Sequence, residues 1–291
     1  MTKPIEDKID KIPILNLLAR FLKQVKLPGF EGLSIYDLLE MYSIGIIKGA
    51  LTARAGAIAY SFFMAIFPFL LFVIILIPHI PIENFETEFL GFLESFLPPT
   101  TTDFFSDTIF NNINGAGLIS SVFFVSMLLM ANGVNAVFSG FENSYHEQLT
   151  RNMFRQYLYA FWVALILAFL LILTVAGLGY FEIYVIKTGF AKYGFFIIMV
   201  YLATAVLYYF GTKEGRHSKF FSVGALFTTL LIIINSYLFG IYIDNFAQYN
   251  KLYGSIGALL ILLFYLWLNS NIILLGFELN VSLRLLRAKC K

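Results

Sequence analysis

In a chain of 291 residues with only 13% charged side chains, the polar residues standing inside apolar runs are where chemistry is first sought. Asn132, Asn135, Ser139, Glu142 and His146 follow spacings of 3, 4, 3 and 4, so on a helix they share one face. A second group is Asn271 and Glu278 with the neighbouring Asn269, Ser270 and Asn280, and Thr228, Asn235, Thr174 and Glu182 add to the set. Such side chains avoid hydrocarbon and must face other helices or water. Two readings fit. One is a substrate path made by Asn132, Asn135, Ser139, Glu142, Asn235, Asn271 and Glu278; the other is hydrogen bonding between helices, worth about 0.6 kcal/mol per contact. Arg54, Arg151 and Arg284 are the candidates to pair with Glu142 and Glu278, near the inner ends of their runs.

Other chemistries find little support. A metal-dependent hydrolase needs clustered ligands, whereas His79, His146 and His217 fall in separate parts of the chain. No Walker A pattern is present to drive the chain directly with ATP. The lone Cys290 allows no intrachain disulfide. The few basic residues of the short loops suit topology better than phosphate binding, so a nucleic-acid partner is not expected. We therefore expect no enzyme activity, no metal and no cofactor.

The elements that position the polar residues follow from composition. Hydrophobic residues make up 59% of the chain, with 33 Phe and 17 Tyr, which fits an apolar solvent better than water. Six runs lack Asp, Glu, Lys and Arg: 55–82, 108–141, 156–181, 193–212, 220–243 and 252–277. Each reaches the roughly 20 residues that cross about 30 Å of hydrocarbon. The second helix should begin near Gly117, after a stretch rich in Asn and Gly. Without period-two alternation the runs read as helices, which satisfy their own backbone in lipid. The expected class is all-α: a polytopic bundle of six transmembrane helices. With the N-terminus inside, 17 of the 20 Lys and Arg fall on the inner side, which places both ends in the cytoplasm.

Three regions result: 1–50, cytoplasmic or interfacial; 51–283, the transmembrane domain; and 284–291, a basic cytoplasmic tail. In the first, 14–25 and 35–47 read as amphipathic helices, lying on the inner leaflet or capping the bundle, with Ser34 and Asp37 in a capping pattern. The outer segment 80–116 has no Lys or Arg and carries Glu83, Glu86, Glu88, Glu94, Asp103 and Asp107, as a lid would or as a solvated face would. Gly49, Ala53, Ala57, Ser61 and Ala65 recur every four residues and read as a packing face within the chain. Pro68 should kink the first span.

Three segments resemble the YihY/BrkB family of bacterial inner-membrane proteins: Ala53-Arg54-Ala55 through Ala59-Tyr60 to Phe67-Pro68, Tyr249-Asn250-Lys251-Leu252-Tyr253-Gly254-Ser255, and Leu275-Gly276-Phe277-Glu278-Leu279-Asn280. The resemblance runs from about Gly45 to Leu286, with Arg54, Tyr60, Tyr253, Gly254, Gly276 and Glu278 as motif positions. It implies six spans, a plasma-membrane address and a role that is not established; some members carry a virulence-factor or ribonuclease BN label. The expectation is transport of lipid, envelope-related material or a small solute through a polar cavity between the second, fifth and sixth spans. The alternative is a scaffold that binds a partner. Membrane lipids are the expected surroundings, and a homo-oligomer or an envelope protein is a candidate partner.

Overall fold

Peptide groups in hydrocarbon find no water, so each apolar run must close its hydrogen bonds on itself as a helix. The computed structural model describes residues 21–24, 34, 36, 50–76, 116–142, 153–184, 189–211, 220–246 and 255–289. Six long helices emerge: α1 (Ala50–Leu76), α2 (Ala116–Glu142), α3 (Met153–Tyr184), α4 (Gly189–Gly211), α5 (Val223–Phe246) and α6 (Ser255–Lys289). Stretches of α2 to α6 are long and apolar enough to cross a membrane; the corresponding apolar stretch of α1 is shorter, Leu51–Ile66. The whole of α1 has 27 residues, about 40 Å at the helical rise, and it continues through Pro68 to Leu76.

Each helix packs against its neighbours in the chain, and α6 returns to pack on α1, so the six form a closed ring in chain order. Lesser contacts of α2 with α4 and α6 cross the ring. The most deeply buried side chains include Ile58, Met127, Val137, Phe138, Phe141, Val163 and Leu274. Phe141 stacks on Phe277 at 4.1 Å and meets Tyr208 edge-on at 5.7 Å, tying α2, α4 and α6 together. The reverse arrangement holds outside: Phe154, Trp162, Phe169, Tyr193 and Tyr237 are exposed, a pattern that suits lipid.

The small-residue stripe of α1 is not one packing face. Ala53 and Ala57 are exposed and a side chain at Gly56 would meet nothing within 4 Å, whereas Ala65 is buried beside Gly133 of α2. Four residues on a helix of 3.6 per turn advance about 40° beyond a full turn. A strict every-fourth pattern therefore winds around the helix, and its two ends face different surroundings. Gly49 and the outer segment up to 115 lie outside the described residues. Of the first 49 residues, 21–24 are helical, Ser34 and Tyr36 are buried, and Lys23 Nζ lies 4.5 Å from the Tyr36 ring centroid.

Candidate functional site

The ring holds its polar groups at three junctions. The first closes it. Arg54, at the start of the second turn of α1, enters the bundle between α2 and α6. Its Nη1 donates to the Gly140 carbonyl at 2.8 Å and its Nη2 to Glu278 Oε1 at 3.3 Å. The side chains of this ion pair are only 13% and 9% exposed. Among the described residues, Arg54 is the expected arginine that bonds Glu278. Gly140 makes the approach possible, because a Cβ there would come within 2.8 Å of Ile58 and 3.2 Å of Leu274.

A second junction joins α4, α5 and α6. The Tyr208 hydroxyl shares a hydrogen bond of 2.5 Å with Thr228 and donates to the Ile273 carbonyl at 2.7 Å. Thr204 and Thr229 pair at 3.2 Å one turn away. Gly276 lies directly under Thr228 and Tyr208, and Gly224 lies against the Gly276 carbonyl and Asn280; a Cβ on either glycine would clash. Asn280 accepts from the Gly224 N–H at 2.7 Å and donates to Ser222 at 2.9 Å, capping the start of α5. Further along α5, Ser236 bonds Tyr265 at 2.7 Å, and Asn235 donates to Asn269 at 3.4 Å.

The third junction is α2 against α3. Asn132 accepts from the Tyr157 hydroxyl at 3.1 Å, and Ser139 accepts from Gln156 Nε2 at 3.4 Å. Asn135 lies between them on the same face, and its buried Oδ1 finds no donor among the described residues. Glu142 closes the helix, half-buried.

The expected path residues are thus distributed. Asn132, Asn135, Ser139 and Glu142 share a face as the spacing requires, but that face turns to α3 rather than to α5 and α6. Spacing defines a face and leaves the neighbour open; the closed ring makes α3 that neighbour. Asn235 belongs to the α5–α6 junction and Glu278 to the α1–α6 junction. Asn271 is buried and donates to the Trp267 carbonyl of its own helix at 2.8 Å. Among the motif positions, Gly276 and Glu278 sit at junctions of α6, whereas Tyr60 is exposed on the outer face of α1. Tyr253 and Gly254, like His79, His146, Arg151 and His217, lie outside the described residues. Sequence reasoning missed Gln156, Tyr157, Tyr208 and Gly224. Tyr208 is hidden among other aromatics, whereas Gln156 and Tyr157, opening the third run, offered a polar signal.

Comparison with known proteins gives a consistent picture. The family model described as "Virulence factor BrkB" matches residues 46–289. The ribonuclease-like protein YfkH of Bacillus subtilis is 26% identical over 248 residues, 79% of this chain and 89% of its own length. A UPF0761 membrane protein of Aggregatibacter aphrophilus is 25% identical over 254 residues, 83% of this chain and 90% of its own. Another from Psychrobacter is 24% identical over 277 residues, covering 89% of this chain and 50% of its own. No solved structure matches.

Proposed function

The chain belongs to the Virulence factor BrkB family of bacterial multi-pass membrane proteins, and from that premise we propose that it moves a lipid, an envelope-related molecule or a small solute across the membrane. The observation that carries this reading is the ion pair between Arg54 and Glu278 at the closure of the ring. Charges within spanning helices are costly to place and characteristically mark substrate or ion paths. This pair holds the first helix to the last, so separating it opens the ring at one junction while the glycine-backed contact of α5 with α6 stays shut.

The test is reconstitution. Purified protein in liposomes with fluorescent phospholipids is exposed to dithionite, which bleaches only the outer leaflet, and parallel vesicles are loaded with small polar solutes. Movement faster than in protein-free vesicles is expected, and Glu278→Gln should slow it about tenfold or more, corresponding to ~1.4 kcal/mol or more at the barrier. No movement of any of these compounds above protein-free vesicles rejects the reading.

A second reading, a scaffold that binds a protein partner, is favoured by the exposed Ala53 and Ala57 on α1 and the open space beside Gly56, since helices in lipid associate through small side chains. A cysteine crosslinker at Ala57 in native membranes that captures one constant partner would support it.

A further inference from the structure

We propose that the seam between α2 and α3 binds the head group of a zwitterionic glycerophospholipid deep in the bilayer, its acyl chains remaining in the surrounding lipid. The proposal rests on the transport reading for any movement of that lipid, though not for its binding. Asn132 lies ten residues from the end of α2 at Glu142 and sixteen from its start at Ala116. At 1.5 Å per residue it is about 15 Å from the nearer end of α2, and Tyr157, about 6 Å into α3 from Met153, reaches it with its ring; exposed carboxamides are rare inside a spanning segment. Yet Asn132 is exposed, and Tyr157, which donates to it, is 48% exposed. That bond occupies the Asn132 oxygen and leaves both N–H groups of its amide without an acceptor among the described residues. One turn along the same face, the buried Asn135 Oδ1 is an acceptor without a donor.

The seam therefore presents donors at its surface and an acceptor within. Apolar side chains flank them: Phe124 and Leu128 precede Asn132 on α2, and Phe154 and Leu158 flank Tyr157 on α3, all exposed. A molecule that satisfies both kinds of surface must carry a polar head on long apolar chains. Phosphate oxygens would accept from the Asn132 amide and the Tyr157 hydroxyl, and a head-group N–H or O–H would donate to Asn135. Arg155 is exposed two residues from Tyr157 but about 200° around α3, and none of the described residues three or four positions from Asn132 or Tyr157 is charged, which favours a head whose charges cancel internally, such as phosphoethanolamine. A free phosphate ion would bring an uncompensated charge to the same depth, at high cost.

Depth-dependent quenching tests this. With Cys290→Ser as background, a fluorophore is placed at Leu128→Cys on the seam or at Ile234→Cys, an exposed position near the middle of α5. Each full-length protein enters vesicles of zwitterionic phospholipid carrying a nitroxide on the head group or midway along an acyl chain. The chain-labelled lipid should quench both positions alike. The head-labelled lipid should quench Leu128→Cys about threefold more strongly than Ile234→Cys, the occupancy difference that one hydrogen bond of ordinary net strength gives. Asn132→Leu and, separately, Tyr157→Phe should each remove most of that excess. Equal head-group quenching at the two positions overturns the proposal, as does an excess that survives both substitutions. Weak quenching of Leu128→Cys by both lipids, the mark of a protein covering the seam, overturns it as well. Head-group quenching as expected without lipid movement in the dithionite assay rejects the transport reading and keeps the site; movement without the excess does the opposite.

Discussion

The junctions made by α6 and the junction between α2 and α3 use the same kinds of side chain to opposite effect. Around α6, Tyr208, Thr228, Asn280 and Glu278 are buried or half-buried, bonded at 2.5–3.3 Å, and backed by glycines where backbones come closest. Between α2 and α3 one of the two bonded pairs, Asn132 with Tyr157, is open to the surroundings, and an Asn135 oxygen has no donor among the described residues. Satisfied polar groups fix a bundle, and partly satisfied ones leave bonding capacity for something else. The difference separates a lock from a surface.

The comparison breaks most visibly at Arg54. Arg54→Met leaves Glu278 buried without its partner, and we expect a loss of about 3–5 kcal/mol, seen as a large fall in thermal stability in detergent; Arg54→Met with Glu278→Leu should recover most of it. Gly276→Ala comes next. Its methyl group would collide with Thr228 and Tyr208, and we expect a cost of about 1–3 kcal/mol on the same measurement. Tyr208→Phe removes one hydroxyl from the α4–α6 contact and should cost about 0.6–1.7 kcal/mol, the range seen for hydrogen bonds between membrane helices. Smallest of all is Asn132→Leu, which exchanges an exposed amide for an aliphatic side chain and should move stability by less than about 0.6 kcal/mol in either direction. A large destabilisation by Asn132→Leu, matching Gly276→Ala, would make the α2–α3 seam a lock like the others.

The six helices were legible because the cost of a charge in hydrocarbon punctuates the chain, and the runs free of charge coincide with their central parts. Their ends were less so, for the same reason. The first charge-free run starts at Ala55 because Arg54 interrupts it, yet α1 begins at Ala50 and carries that arginine inward to Glu278. The last run stopped at Phe277, before Glu278, yet α6 continues to Lys289. A residue's charge is visible in sequence, but the partner that neutralises it is not. The polar face of α2 was legible as a face, whereas its neighbour depended on how the ring closes. The every-fourth pattern of α1 misled because repetition at that interval drifts around the cylinder.

Arg54 and Glu278 lie 224 positions apart, and that separation has a consequence during synthesis. The arginine enters the bilayer with the earliest helix, while its counter-charge arrives only with the final one. Until the last helix is made, the guanidinium lacks the Glu278 carboxylate that it bonds in the finished bundle. A chain truncated or stalled before α6 would lack that pair, a physical difference between unfinished and finished copies.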